Sequence, residues 1–251
     1  MHADFMKRID TLRNMVSDGG VVFFGGAGVS TGSGMKDFRS SDGLYNEKNT
    51  YRWSPETILS HQFFFKKTKV FYDFYRKKMN CLPYEPNIVH KTVAKWENEG
   101  LLDAVITQNI DNLHQKAGSH KVIELHGTCM ENYCVKCNEP YDVNAVFYGE
   151  GEYPVCKKCG GIIRPGIVLY GESLDSGKME ESIYLLNRAK TLIVCGSSLT
   201  VYPAAGLVSE FYGDNLVIIN RDPVANEEWA QLVFHEDMLE VFNALTCLSD
   251  T

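Results

Sequence analysis

Two cysteine pairs, Cys134-x-x-Cys137 and Cys156-x-x-Cys159, stand 18 residues apart, a spacing that brings four thiolates around one tetrahedral ion. The second pair runs into Gly160-Gly161, so backbone amides can also approach the sulfurs. Four protein ligands leave no position for water or substrate, so zinc here is expected to hold structure rather than do chemistry. An iron–sulfur cluster or a redox dithiol pair is the alternative use of such knuckles. Cys81, Cys129, Cys195 and Cys247 are scattered and read as reduced, mostly buried thiols.

A second chemical pattern lies at the ends of apolar runs. Gly26-Ala27-Gly28 follows Val21–Gly25 and suits a phosphate cradle, because backbone without side chains can approach a pyrophosphate. The third glycine of the usual dinucleotide fingerprint would fall at Thr31, so the turn alone reads equally as a plain strand–helix connection. Gln108, Asn109 and Asp111 follow one later run and His126 the next; Ser197 and Ser198 follow a third, Asn220 and Asp222 a fourth. Helix caps are rich in such residues. Four runs ending this way nevertheless predict a shared ligand crevice at the carboxyl ends of parallel strands. Of seven histidines only His126 occupies such a place, where an imidazole can act as a general base near neutral pH.

The elements that must position these residues follow from periodicity. Phe5, Ile9, Leu12 and Val16 have helical spacing, and Gly19-Gly20 ends that helix. Strands are expected at Val21–Gly25, Ala104–Thr107, Val122–Leu125, Gly166–Tyr170, Thr191–Cys195 and Leu216–Ile219. Helices are expected across Pro55–Met79 and Pro86–Gly100, and near Met179–Arg188, Ala204–Phe211, Glu227–Leu232 and Glu236–Leu245. Ser30 to Asn49 is polar and aperiodic, a long loop of the kind used as a lid. Alternating strands and helices predict an α/β fold, a doubly wound parallel sheet covered on both faces. The segment 128–165 breaks the rhythm and is expected to form a smaller metal-knotted domain.

Composition narrows the class. The chain has 251 residues, 44% hydrophobic and 23% charged, which excludes disorder and fibre. With 25 Lys+Arg against 32 Asp+Glu the net charge is −7, which argues against broad nucleic-acid binding. No apolar stretch reaches membrane-spanning length, and the first residues lack a signal-peptide core. A cytoplasmic location follows as an expectation.

Several of these residues sit in motifs that resemble the sirtuin family of NAD-dependent protein lysine deacylases. They are Gly26-Ala27-Gly28-Val29-Ser30, Asp37-Phe38-Arg39, Thr107-Gln108-Asn109-Ile110-Asp111, Leu125-His126-Gly127, the two knuckles, Gly196-Ser197-Ser198-Leu199, and Asn220 in Ile219-Asn220-Arg221-Asp222. Their order from about Gly25 to Asp222 spans nearly the whole chain.

The resemblance implies a single catalytic core over 1–251. Its large Rossmann-like domain would take in approximately 1–35, 84–127 and 166–251, and its small domain the inserts at approximately 36–83 and 128–165. It implies NAD as co-substrate, zinc as structural ion, and acyl-lysine proteins or peptides as partners of a monomer. By position, Ala27, Thr31 and Arg39 would line the phosphates and ribose, with Phe38 shielding the nicotinamide side. Gln108 and Asn109 would position the nicotinamide ribose, and Ile110 and Asp111 would receive the carboxamide. Ser197, Ser198 and Asn220 would hold the adenosine half, with Asp237 a further candidate. Ile167, Val168, Leu169 and Tyr170 would pair with the substrate backbone as an added strand.

The implied chemistry suits these residue types. Nicotinamide is a cationic leaving group, so the site must place a weak nucleophile, the acyl carbonyl oxygen, against the anomeric carbon and exclude water. His126 would then deprotonate a ribose hydroxyl that attacks the resulting imidate, and water would complete release of lysine, nicotinamide and O-acyl-ADP-ribose. The same crevice could instead serve mono-ADP-ribosylation, hydride transfer or, as a zinc module, binding alone. His126 favours deacylation over the first, and the Gln108–Asp111 cluster disfavours the others.

Three departures from the family pattern stand out. Met35-Lys36 replaces Ile-Pro, which leaves the cofactor loop less restricted. Asn112 replaces a glycine, a change that left-handed backbone tolerates. Gly166 replaces an aspartate beside the peptide strand. Members favouring acidic acyl groups carry Tyr-x-x-Arg where this chain has Tyr72-Asp73-Phe74-Tyr75, with Arg76 one place late. One residue turns a helical side chain by about 100°, so a neutral acyl group such as acetyl is expected.

Overall fold

Helix α1 (His2–Ser17) buries Phe5, Ile9, Leu12 and Val16 along one stripe, and Gly19 and Gly20, both at positive φ, turn the chain into β1 (Val21–Gly25). The computed structural model describes residues 2–38, 43–45, 51–225 and 227–246. Every residue of β1 is buried, because the strand lies at the centre of a sheet covered on both sides. A 3-10 helix (Ala27–Ser33) follows. Then come three short helices, α2 (Pro55–Ile58), α3 (His61–Lys66) and α4 (Thr68–Lys78). The Ser54 and Ser60 side chains cap α2 and α3, so the expected helical region breaks at Ser60, and it breaks again at Lys67, where no side chain caps α4.

Helix α5 (Ile88–Asn98) begins with a capping box formed by Asn87 and His90 and leads into β2 (Leu102–Thr107). A single turn, α6 (Leu113–Lys116), precedes β3 (Val122–Glu124). The metal-knotted segment is itself built on strands: β4 (Gly127–Cys134), β5 (Pro140–Tyr141), helix α7 (Val143–Phe147) and β6 (Ile163–Ile167). The chain closes with α8 (Ser176–Arg188), β7 (Thr191–Cys195), a 3-10 helix (Ala204–Glu210), β8 (Asn215–Ile219), β9 (Leu232–Phe234) and α9 (Met238–Thr246).

The main sheet is parallel throughout, in the order β3-β2-β1-β7-β8-β9. Alternate residues feed opposite cores. Phe23, Val105, Ile193 and Val217 pack with α1, α5 and α9, while Phe24, Ile106, Val194 and Ile218 pack with α8 and Ala204–Glu210. Winding runs outward from β1 in one direction and from β7 in the other, which is the doubly wound arrangement. A third core joins Leu44, the aromatic residues of α2–α4 and the three-stranded antiparallel sheet β5-β4-β6.

Two expectations are corrected. The stretch Glu227–Leu232 is a 3-10 turn only at Glu227–Trp229, and Leu232–Phe234 is a sixth sheet strand at the edge. Three residues are too few to show a period. The expected strand Gly166–Tyr170 lies earlier, at Ile163–Ile167, where it pairs with β4 through the knuckles. Beyond it Tyr170 forms only an isolated bridge to Ser60.

Candidate active site

Winding reverses between β1 and β7, and their carboxyl ends meet at closely packed glycines. Gly26 N–H donates to the Cys195 carbonyl at 3.0 Å and Gly28 N–H to that of Gly196 at 2.9 Å. A Cβ on Gly28 would come within 2.8 Å of Gly196, and one on Gly26 within 2.6 Å of its carbonyl oxygen. The glycines of this turn are therefore required by the neighbouring strand as well as suited to a ligand. Such a switch point opens the crevice in which open α/β sheets bind their ligands.

The loop after β2 lines that crevice. The buried Ser30 hydroxyl donates to Asp111 Oδ2 at 2.6 Å and accepts from Asn109 Nδ2 at 3.1 Å, while Leu113 N–H donates to Asp111 Oδ1. Burial raises the Asp111 carboxyl above its ordinary range, and the Ser30 and Leu113 donors oppose that rise. Gln108 Nε2 donates to Ser197 Oγ at 2.9 Å, joining the end of β2 to the end of β7. His126 Nδ1 lies 2.8 Å from the Gln108 carbonyl, and burial holds the imidazole below its ordinary range.

Ser30, Asn109, Asp111, Gln108, Ser197 and His126 thus form one connected group. Ile110 stands between Asn109 and Asp111 in the chain, and its carbonyl accepts from Cys129 N–H at 2.9 Å. Ala27 and the exposed Thr31 lie on the 3-10 helix above it, and Ser198 is exposed, its hydroxyl 2.8 Å from that of Thr200. Asn220 and Asp237 stand further along the same sheet end. Asn220 Nδ2 donates to the Asp222 carbonyl, and Asp237 Oδ1 accepts from Leu239 N–H. Phe38 packs on Tyr45 with ring centroids 5.6 Å apart. Arg39 lies outside the described residues.

Ile167 is buried in β6, but the donors beyond it are spoken for. Val168 N–H donates to the His126 carbonyl, Leu169 N–H to Glu172 Oε2, and Tyr170 N–H to the Leu59 carbonyl. Its carbonyls are partly engaged as well: that of Ile167 accepts from Arg164 Nη2, that of Leu169 from Glu172 N–H and that of Tyr170 from His61 N–H, so the segment can offer a second chain the Val168 carbonyl and the remaining lone pairs of its neighbours. Glu172, which sequence reasoning missed, also accepts from Arg164 Nη2 at 2.5 Å and lies 2.6 Å from His61 Nδ1. Burial raises its carboxyl, and Arg164, Leu169 N–H and His61 together hold it below the ordinary range. Ser30 was missed as well, although it stands in the glycine motif. Its signal was a hydroxyl two residues beyond Gly28, at the end of a turn that itself carries no polar side chain.

The four knuckle sulfurs all lie within 4.8 Å of one another. Sulfur pairs lie between 3.3 Å (Cys137–Cys159) and 3.7 Å (Cys137–Cys156), against an edge of about 3.8 Å for a tetrahedron of Zn–S bonds near 2.3 Å. Tyr141 OH donates to Cys156 Sγ at 3.2 Å and favours its thiolate. The donor set and spacing fit a closed zinc site. Asn112 adopts φ 64°, the left-handed backbone that its replacement of glycine requires. Gly166 is needed where it stands, since a Cβ there would lie 2.4 Å from the Glu131 carbonyl oxygen.

A parallel sheet with its polar crevice at the switch point, beside a thiolate-bound module, defines a nucleotide-binding α/β protein with a structural metal. Comparison with known proteins narrows this. A sequence profile of the Sir2 family matches residues 26–203, and the chain belongs to that family. An NAD-dependent protein deacetylase of Clostridium acetobutylicum is 45% identical over 241 residues, covering 96% of this chain and 98% of its own. A Sir2 structure with a deacetylated p53 peptide and 3'-O-acetyl ADP-ribose superposes with a TM-score of 0.87 at 38% identity, over 94% of this chain and 96% of that one. A Sir2 structure bound to a propionylated peptide gives 0.82 at 38%, over 94% and 95%.

Proposed function

We propose that this chain is an NAD-dependent protein lysine deacylase that removes acetyl and other neutral acyl groups, yielding nicotinamide, O-acyl-ADP-ribose and free lysine. Its similarity to an NAD-dependent protein deacetylase and to Sir2 structures with product and acylated peptide supports the reaction. One observation carries the assignment of the base. His126 Nδ1 faces a carbonyl, which can only accept, so Nδ1 bears the proton and Nε2 the lone pair.

Bound NAD supplies an anomeric carbon with nicotinamide as its leaving group. The protein's part is to bind, orient and move one proton. Ala27, Thr31 and Arg39 take the phosphates and ribose, Phe38 covers the nicotinamide side, and Ser197, Ser198, Asn220 and Asp237 take the adenosine half. Asn109 and Gln108 orient the ribose, and both are fixed by serine hydroxyls. Ile110 and Asp111 receive the carboxamide. His126 Nε2 accepts a proton from a ribose hydroxyl and so makes it a nucleophile. A peptide strand lies along Ile167–Tyr170 and donates to its carbonyls. Cys134, Cys137, Cys156 and Cys159 bind zinc away from the chemistry.

The crevice then separates a large domain, approximately 1–35, 84–127 and 166–251, from a small one built from approximately 36–83 and 128–165. The third core, which joins Leu44–Cys81 to Cys129–Ile163, supports that division, and it also takes in Ile167 and Leu169 from the start of the last large-domain segment. Among the described residues no helix is long and apolar enough to cross a membrane. The protein acts as a cytoplasmic monomer on protein substrates, and its net charge of −7 disfavours nucleic acid.

Mass spectrometry of an acetyl-lysine peptide incubated with and without NAD tests the reading. NAD-dependent loss of acetyl with O-acetyl-ADP-ribose, absent in His126→Ala, is expected. Release of nicotinamide from a peptide that stays acetylated would favour ADP-ribosyl transfer.

A further inference from the structure

Cys81 and Cys129 belong neither to the metal knuckles nor to the catalytic group, yet they face each other. Their sulfurs lie 2.6 Å apart, 48 residues separated in sequence and both buried. That is nearer to a disulfide bond of about 2.05 Å than to ordinary non-bonded contact, about 3.5–4.0 Å even between carbons. The fully buried Tyr75 hydroxyl has no hydrogen-bond partner among the described residues and is close enough to feel both thiols.

We propose that Cys81 and Cys129 are a redox-modification site: a dithiol that closes to a disulfide on reaction with hydrogen peroxide. One sulfur attacks the peroxide, breaking the O–O bond to give a sulfenic acid and water. The second sulfur displaces the sulfenic oxygen as a second water and forms the S–S bond. Two S–H bonds and two electrons are given up, and hydrogen peroxide becomes two waters.

The position gives the bond a consequence. Cys81 follows α4, where the chain leaves the helical insert, and Cys129 opens β4, where it enters the knuckle segment. A disulfide ties these two passages together and closes a loop that contains Gln108–Asp111 and His126. Cys129 N–H also holds the Ile110 carbonyl at 2.9 Å, next to Asp111. Fixing Cys129 therefore restricts the segment that receives the leaving nicotinamide, and turnover falls. The Cys129 thiol is raised by its contact with Cys81, then by burial, with Asp111 and Glu124 adding to the rise. Little thiolate is present, so closure is slow and answers sustained rather than brief exposure.

The test uses zinc-loaded protein titrated with hydrogen peroxide. Free thiols are then blocked with N-ethylmaleimide after denaturation, and peptides are mapped by mass spectrometry. A Cys81–Cys129 cross-linked peptide about 2 Da lighter than its two reduced parts is expected, with zinc content unchanged. Turnover should drop several-fold and return with dithiothreitol, and Cys81→Ala should keep its turnover through the same treatment. Full alkylation of Cys81 and Cys129 after peroxide, with oxidation confined to the knuckle cysteines, would overturn the proposal whatever the variant does. A cross-link that leaves turnover unchanged would overturn its coupling to Ile110.

Discussion

Nδ1 of His126 lies 2.8 Å from the backbone carbonyl of Gln108, the residue whose side chain in turn donates to Ser197. One peptide unit therefore sets the tautomer of the proposed base. Burial lowers the His126 pKa, and the Gln108 carbonyl, which favours the charged ring, only partly opposes this. The working form is the neutral one. A lowered pKa keeps the ring neutral at pH values where an ordinary histidine, near 6.5, is already half protonated. The pH profile of kcat/KM for an acetyl-peptide should stay flat through about pH 6.5 and fall only below it. An acid limb at or above that value would contradict the assignment. His126→Ala should lose about 10²–10⁴-fold in turnover at every pH.

The Ser30 hydroxyl bridges Asp111 and Asn109, two buried polar residues on the loop after β2. Ser30→Ala removes one donor from a buried carboxylate and one acceptor from a buried amide. Such a loss costs about 1–3 kcal/mol when the groups stay unpaired. The Asp111 pKa should rise further, because the Ser30 donor now opposes the effect of burial. Urea unfolding should show a lower midpoint with unchanged slope, and KM for NAD should rise together with a fall in kcat. A wild-type midpoint would mean that the hydroxyl carries no such load.

Much of this was legible in the sequence, and the exceptions have physical reasons. Long apolar runs such as Val21–Phe24 report a strand buried on both faces, and the cysteine spacing reports a closed metal site. Polar residues at successive strand ends report the crevice. What the sequence hid depends on contacts made at a distance. Leu232–Phe234 is too short to carry a period and is a strand only because Ile219 and its neighbours offer an edge. Val168–Tyr170 look like a continuing strand, but their N–H groups turn to His126, Glu172 and Leu59. Gly166 looked like the loss of a side chain beside a substrate, whereas its lack of Cβ is what lets β6 approach Glu131.

That last contact gives a prediction of opposite sign to the family pattern. Restoring the common residue with Gly166→Asp places a Cβ 2.4 Å from the Glu131 carbonyl oxygen, a backbone atom that cannot swing aside. The β4–β6 pairing, irregular between Gly127 and Asn132, would have to open. A melting temperature several degrees lower is expected, consistent with overpacking costs of about 1–3 kcal/mol. Tighter peptide binding with no loss of stability would show that β4 gives way instead.

His90 and His114 set an acid limit on the fold. Their rings are 4.7 Å apart behind β1, and both ring nitrogens of His114 lack hydrogen-bond partners among the described residues. Burial lowers His90 to about 4 and pushes His114 down as well, with His90 adding to the effect. The unfolded chain takes up these protons near pH 6.5 while the folded chain refuses them. Stability is therefore complete above about 6.5 and is lost as pH falls toward 4, by about 3 kcal/mol for His90 alone. His114→Phe, which keeps a ring against Phe23, should flatten the fall in melting temperature across that window. An equally steep fall in the variant would place the acid sensitivity elsewhere.

The anchoring of Arg76 bears on the proposed preference for neutral acyl groups. Its Nε donates to the Val146 carbonyl at 2.8 Å, Nη1 to Gly151 at 2.7 Å and Nη2 to Gly149 at 3.0 Å, with the guanidinium also near the Tyr72 ring. All three nitrogens are thus committed to the last turn of α7 and the loop after it. The neighbouring tyrosines bring no charge, since the Tyr72 hydroxyl donates to the Ile163 carbonyl and Tyr75 is sealed in the third core. The guanidinium nearest the position of the Tyr-x-x-Arg pair is thus held by backbone carbonyls and is not free to meet an acidic acyl group. Acetyl- and propionyl-lysine peptides should be turned over much faster than succinyl-lysine. Arg76→Met should leave that ranking intact while lowering stability by about 2–4 kcal/mol, as expected for losing hydrogen bonds from a charged donor. The comparison separates anchoring from selectivity. If removing Arg76 abolished a substantial succinyl rate with little change in unfolding midpoint, the guanidinium would be reading the acyl group and not holding the loop.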